Sequence, residues 1–323
     1  MRIRDIRLPK RIRAIIVTLV VMVSVPAFAT EIPVAHQAIS FWSDGVRLQG
    51  DIFKPQGLKP EQKLPGIMLV HGWGGNKSNL NKAYARQFAG LGFVVMTFDL
   101  RSWGQSDGFL LADDALPATQ DTSEVTVTGQ HVRSIVNPLK MLEDTRAALS
   151  WFVAEPNLQA DNIGIWGTSL GGGLALVTAA NDSRIKALVT QIGAVNNKAS
   201  FAMIPDEMVA TWETQRARGQ ITPYPGPESG VPGLRGYPDL IAMKQYDPAA
   251  YWDELTIPTL IIEAEDEELF DRKLNGQALH AALKDRVPTR YLVLPGTHYA
   301  IYRDQGYAAA LKAAQNWFVA HLK

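Results

Sequence analysis

A serine sits between two glycines in Gly167-Thr168-Ser169-Leu170-Gly171, where the short apolar run 162–166 gives way to the small-residue run 172–180. The first run has the length of a core strand and the second reads as a helix, so Ser169 falls on the turn between them. A serine there must take a strained backbone conformation, and neighbours without a Cβ let strand and helix approach closely enough to push its hydroxyl out. The next amide, that of Leu170, would point at any oxyanion formed on attack. Gly-x-Ser-x-Gly recurs by chance in chains of this length. The strand before it, the helix after it and the further glycines at 172 and 173 are what give it meaning here.

Serine is a poor nucleophile at neutral pH and needs a base within hydrogen-bond reach. Of the six histidines, His36, His71, His131, His280, His298 and His321, His298 has the best placement. It stands in Leu294-Pro295-Gly296-Thr297-His298-Tyr299, directly after an expected strand, and loops at the carboxyl ends of parallel strands converge on one edge of the sheet. His36, His280 and His321 lie near the amino end or on polar helix faces and are expected to be solvent residues. A proton-shuttling imidazole also needs a carboxylate to fix its tautomer. Five carboxylates crowd Glu263-Ala264-Glu265-Asp266-Glu267-Glu268. The useful one should lie just past the strand end, where Glu267 and Asp266 both fit; the others read as an acidic turn at a helix start, whose dipole favours negative charge.

These residues need a scaffold that brings distant loops together. Residues 39–53 alternate around Ser43-Asp44-Gly45 and predict an antiparallel hairpin. Runs 67–70 and 93–98 are near-continuously apolar, as strands covered on both faces are, with a helix at about 80–91 between them. A helix over 138–154 shows an apolar stripe through Leu139, Leu142, Ala147, Leu149 and Trp151. Strands follow at 162–166, 185–193, 259–264 and 290–294, and a last helix at about 305–322. Two stretches break the alternation: 109–136, polar and Thr-rich, and 196–251, rich in Pro, Gly and aromatics including Trp212, Tyr224, Tyr237 and Tyr246. Both are longer than ordinary connections and read as insertions, the second as a lid over the sheet's edge.

With 323 residues and 46% hydrophobic content, the chain has ample material for one large α/β domain. Residues 1–29 read separately: Arg2, Arg4, Arg7, Lys10, Arg11 and Arg13 form a basic region, 14–25 an apolar run too short to span a bilayer comfortably, and Ala27-Phe28-Ala29 a small-x-small cleavage site. The expectation is a secretory signal cleaved near Ala29, an exported periplasmic or secreted protein, and no stable membrane insertion afterwards. Without that segment 26 basic and 31 acidic residues remain, a net charge of about −5. Such a balance argues against nucleic acid as a partner. With no cysteine there can be no disulfide, no thiolate nucleophile and no cysteine-ligated zinc. Oligomeric state is not encoded in any feature of this kind.

Taken together, His71-Gly72-Trp73-Gly74-Gly75, Asp99-Leu100-Arg101-Ser102-Trp103-Gly104-Gln105-Ser106, the serine turn, and the acid and Gly-x-His loops in that order resemble the α/β-hydrolase superfamily over most of residues 30–323. Within it, the Asp44-Gly45 hairpin and the Asp-x-Arg-x-x-Gly-x-Ser segment are similar to dienelactone-hydrolase-like, acetyl-xylan-esterase-like or Xaa-Pro-peptidase-like catalytic domains. The resemblance implies a single α/β domain with a mostly parallel eight-stranded sheet, helices on both faces and a lid insert at about 196–251. It implies that the amide of Trp73 joins that of Leu170 in the oxyanion hole, and that His71 is structural, orienting that loop. Counting from Pro258 puts Glu267 in the acid register, with Asp266 one residue out of step. Two departures stand out: Ser102 replaces a glycine common after the arginine, and the acid position is a glutamate.

The expected chemistry is two-step acyl transfer with no metal and no organic cofactor: Ser169 as nucleophile, His298 as general base, Glu267 (or Asp266) steadying the imidazolium. The expected substrate is a small-molecule carboxylic ester. The alternative is a serine peptidase of aminopeptidase or Xaa-Pro type, which would need carboxylates such as Asp206, Glu207, Glu213 or Glu228 to hold a free amino terminus. A third reading is a non-catalytic binding protein on the same fold.

Overall fold

Asp44 and Gly45, at φ of 46° and 75°, form the two-residue turn between β1 (Val34–Ser43) and β2 (Val46–Pro55), which pair antiparallel from Ser43↔Val46 outward. Two consecutive left-handed residues give a turn whose twist matches that of the strands it joins. The computed structural model describes residues 32–118 and 121–323, so the secretory segment expected at 1–29 lies outside the described residues. Among the described residues no helix is long and apolar enough to cross a membrane.

The sheet continues with β3 (Leu64–Val70), β4 (Val94–Phe98), β5 (Leu158–Thr168), β6 (Ile185–Gln191), β7 (Thr259–Asp266) and β8 (Thr289–Thr297). Its spatial order is β1-β2-β4-β3-β5-β6-β7-β8. The first two pairings are antiparallel and the remaining five parallel, as expected of a mostly parallel eight-stranded α/β-hydrolase sheet.

Helices cover both faces because the central strands are apolar on both sides. On one face Met68, Val70, Ile163 and Ile165 pack with α2 (Pro138–Phe152) and α3 (Leu170–Asn181). On the other, Ile67, Leu69, Val95 and Trp166 pack with Phe88 and with Ala310, Ala314 and Phe318 of α6 (Asp304–Leu322). Phe88 belongs to α1, a helical stretch of Lys77–Leu80, a π turn Asn81–Ala85, and Arg86–Ala89.

In α2 the buried face differs from the expected stripe. Met141, Leu142, Thr145, Ala148, Leu149 and Phe152 are buried with Asp144, while Leu139, Ala147 and Trp151 pack only at the rim. Asp144 turns inward because Arg101 satisfies it, and an aspartate on the core side hides the helical period from a hydrophobicity reading.

Both insertions carry structure of their own. In the first, Phe109–Ala112 pairs antiparallel with Gly129–Val132. The second carries α4 (Asp206–Ala217) and α5 (Leu240–Gln245), and its Tyr237–Pro238 pairs in parallel with Ile135–Val136 at the end of the first. Phe109 and Tyr224 stack at 4.5 Å across the same junction. Arg216 grips Asp239 (2.9 Å), whose carboxylate also accepts from Asn137 and caps α5.

Candidate active site

Ser169 follows the last residue of β5 and precedes α3, with φ 52° and ψ −127°. A non-glycine residue at positive φ is strained, and here the strain is held by backbone bonds: Ser169 N–H donates to Gln191 O (3.0 Å), while its carbonyl accepts from Gly172 and Ala194. The surrounding glycines answer to crowding. A Cβ on Gly171 would strike the carbonyls of Val70 and His71, and one on Gly72 would stand 2.8 Å from both Ser169 Cβ and Thr168 O. The loop after β3 therefore lies directly against the serine.

That loop presents Trp73, and among the described residues neither its amide nor that of Leu170 has an intramolecular acceptor. The Leu170 amide is also the first of α3, where the helix dipole favours negative charge. His71 is buried and bridges two loops: Nδ1 bonds Gly72 O (2.9 Å) and Nε2 accepts from Leu100 N–H (3.2 Å). Burial lowers its pKa below the ordinary 6.5, which keeps the ring neutral and able to donate from one nitrogen while accepting at the other. Trp73 itself is tied down, its indole N–H donating to Arg235 O (2.6 Å) of the second insertion.

His298 enters through a register shift. β7 and β8 pair regularly as far as Ala264↔Leu294 and then resume at Asp266↔Thr297, so β8 carries an extra residue, with Gly296 at φ 101°. The bulge sets the next two residues, Glu267 and His298, side by side. Both Glu267 carboxylate oxygens lie within reach of His298 Nδ1 (2.9 and 2.8 Å), and each side chain is only 2% exposed. Asp266, one residue earlier on an alternating strand, is exposed. Of the two candidate acids the structure brings Glu267 to the imidazole. With Nδ1 so engaged, Nε2 is the nitrogen left for the cavity that His298 lines together with Ser169.

Two carboxylates that the sequence reading passed over complete this corner. Glu268 accepts the backbone N–H of His298 (2.7 Å), so adjacent glutamates hold the histidine by ring and by backbone. Glu263 is buried in β7, accepts from Gly276 N–H (2.9 Å) and Tyr291 O–H (2.5 Å), and burial pushes its pKa up to about 7.

The Asp-x-Arg-x-x-Gly-x-Ser segment is scaffolding. Asp99 accepts from the amides of Lys77 (2.7 Å) and Gln105 (2.8 Å), and Ser106 Oγ donates to Asp99 O (2.6 Å). Arg101 donates twice to Asp144 Oδ1 (2.9 and 2.7 Å) and its backbone N–H to Oδ2 (2.8 Å). Ser102 has φ 66°, which is why a glycine is common there; its hydroxyl accepts from Ile135 N–H (2.9 Å), a bond glycine lacks.

None of the three histidines expected in solvent is simply solvated. His36 is exposed yet bonds the buried Asp51 (2.7 Å), which also takes Lys77 Nζ and Asn81 Nδ2 (2.7 Å each). His280 stacks on Tyr291 (5.3 Å) and His321 lies against Trp317 (4.3 Å).

Ser169, His298, His71 and residues 72–76 line one cavity of about 750 Å³, closed on its other sides by Phe201, Leu234 and Met243 of the second insertion and by Leu269, Phe270, Tyr299 and Tyr302. The size suits a small organic molecule, and a serine hydroxyl lining the same cavity as a carboxylate-held imidazole and two residues with free amides is a constellation capable of acyl transfer.

The comparisons agree with this fold. The model of the X-Pro dipeptidyl-peptidase (S15) family matches residues 44–222, and that of the prolyl oligopeptidase family matches 137–323. The uncharacterized 31.7 kDa protein of the traX-finO intergenic region of Escherichia coli is 26% identical over 294 residues, spanning 80% of this chain and 92% of that protein. Among solved structures, hypothetical protein PA2218 of Pseudomonas aeruginosa superposes with TM-score 0.68 at 21% identity over 90% of this chain and 94% of its own. The acetyl xylan esterase of Paenibacillus sp. R4 does so with TM-score 0.56 at 18% identity over 92% and 87%. Two family models that each cover more than half of the chain, on a sheet of this order, lead to one conclusion: the chain belongs to the α/β-hydrolase superfamily, matching its S15 and prolyl oligopeptidase families, and is a hydrolase.

Proposed function

We propose that the protein hydrolyses carboxylic esters through an acyl-enzyme intermediate. Ser169 attacks the ester carbonyl, His298 takes the hydroxyl proton through Nε2 and returns it to the departing alcohol, and Glu267 stabilises the imidazolium through Nδ1. The amides of Trp73 and Leu170 stabilise the tetrahedral oxyanion, each worth roughly 3 kcal/mol in comparable sites. Water then attacks the acyl-enzyme and the proton transfers repeat.

The observation that carries ester over peptide is the cavity lining. Among the described residues it contains no aspartate and no glutamate, the groups a free amino terminus requires. The insertion's carboxylates are engaged or exposed elsewhere: Asp206 is 91% exposed and pairs with Lys244, Glu207 is exposed, Glu213 accepts from Gln245, and Glu228 accepts from Gly226 N–H. Apolar walls suit an acyl chain or an uncharged alcohol. From the basic, apolar and small-x-small layout of residues 1–29 we further propose export across the cytoplasmic membrane, so the mature protein recovered from culture should begin near residue 30 on amino-terminal sequencing.

Purified protein should hydrolyse p-nitrophenyl butyrate and leave aminoacyl-p-nitroanilides intact, with Ser169→Ala abolishing turnover. Turnover of anilides alone would establish the peptidase reading instead. Failure to turn over either, with no fluorophosphonate labelling of Ser169, would establish a binding protein.

A further inference from the structure

We propose that Lys82 is a carboxylate-recognition residue, so that the preferred ester carries an anionic group on an otherwise apolar body; this rests on the ester reading above. Among the described residues the lining of the cavity carries one ammonium group, that of Lys82, and it has no carboxylate partner and no hydrogen bond. The two histidines of the lining are committed: burial keeps His71 neutral, and Glu267 holds His298. The polar side chains on the insertion's wall are satisfied as well, since Asn197 donates to Met243 O and Ser200 to Asn196 O. Lys82 thus stands as an unbalanced positive charge on an apolar wall, within a chain whose residues 30–323 carry more acidic than basic groups.

Local backbone geometry supports the assignment. Lys82 lies in the π turn Asn81–Ala85, and that turn sets Lys82, Ala83 and Tyr84 in succession on the cavity wall. Single π turns are uncommon and concentrate at functional sites. The turn is held from both sides: Asn81 donates to Asp51 and accepts from Thr97, and Tyr307 O–H donates to Ala83 O. Lys82 is exposed while its wall runs back to the loop at Gly72 and Trp73, so a carboxylate bound there sits at the mouth with the apolar body inside. An ammonium reads such a group as a point charge and tolerates several chain lengths.

Monomethyl suberate and dimethyl suberate share a body and differ in one charge. By pH-stat, Lys82→Met should lower the ratio of kcat/KM for the monoester to that for the diester about 2-fold to 5-fold, the effect of an exposed charge contact. Lys82→Arg should retain the ratio, and 0.5 M salt should compress it in the parental protein. A ratio unchanged in Lys82→Met overturns the proposal. The Kd ratio for the two esters is measured in parallel by calorimetry on Ser169→Ala, with and without Lys82→Met. If neither ester is turned over but the Kd ratio still depends on Lys82, the ester reading fails and the anion site stands. If the Kd ratio ignores Lys82, the anion site fails whatever the catalytic result.

Discussion

Gly72→Ala should abolish most catalysis while leaving the protein folded. A methyl at this position would sit 2.8 Å from Ser169 Cβ and 2.8 Å from Thr168 O, where carbon contacts settle at about 3.5–4.0 Å, so the loop and the serine turn must part by about 0.7–1.2 Å. Neither neighbour yields cheaply. Thr168 O is backbone, Ser169 is already at φ 52°, and the loop is pinned by Gly75 N–H to Gly72 O (3.1 Å) and by the Trp73 indole to Arg235 O. A displacement of about 1 Å costs on the order of 100-fold, and losing one oxyanion donor costs about 100-fold to 1,000-fold. The expected kcat on p-nitrophenyl butyrate is therefore about 100-fold down or lower, with a stability loss of about 1–3 kcal/mol from overpacking. Stopped assays, fluorophosphonate labelling rates and calorimetric melting should be read together. A kcat within 3-fold of the parent at unchanged Tm would refute the claim that this close approach positions the Trp73 amide.

Glu267→Gln should lower kcat by about 1,000-fold or more by disturbing the tautomer of His298, whereas Asp266→Asn should stay within about 3-fold; the reverse order would shift the acid by one residue. Glu268→Gln, which keeps an acceptor for His298 N–H but removes its charge, should cost about 5-fold in kcat with little change in KM. Arg101→Met strands the fully buried carboxylate of Asp144 and should cost about 3–5 kcal/mol in urea unfolding, much of it recovered by adding Asp144→Leu. Two buried groups shape stability against pH with opposite signs. Glu263, pushed up to about 7 from an ordinary 4.5, holds a proton that the unfolded chain has released, so its contribution is full below about pH 4.5 and lost as pH rises through 7, about 3 kcal/mol in all. His71, lowered from 6.5, contributes above pH 6.5 and loses its contribution as pH falls. Tm should therefore decline on both sides of about pH 6, and Glu263→Gln should flatten the alkaline limb; an unchanged alkaline limb contradicts the assignment.

The sheet was legible because its strands are apolar on both faces and punctuated by helices, and Ser169 because its turn needs a sequence of small residues that leaves a mark. Glu267 emerged from counting along a strand, yet the physical reason it meets His298 is the bulge at Pro295-Gly296, which no periodicity announces. What stayed hidden depends on distant segments meeting. The core face of α2 escapes hydrophobic periodicity because Arg101 neutralises Asp144 from another loop, and His36 and Glu268 meet partners set by tertiary approach. The π turn in α1 leaves the apolar spacing of a helix almost intact, so it has no sequence signature to find.

The single bond from the Trp73 indole to Arg235 O makes the protein less modular than its layout implies. Exchanging the 196–251 insertion for a relative's would be the obvious way to graft a new specificity onto this sheet. Such a chimera would also remove a strut from the loop that carries one of the two oxyanion amides. Engineering here has to treat the insertion and the Gly72–Gly75 turn as one exchangeable cassette, with Arg235 or an equivalent carbonyl carried along in the transplant.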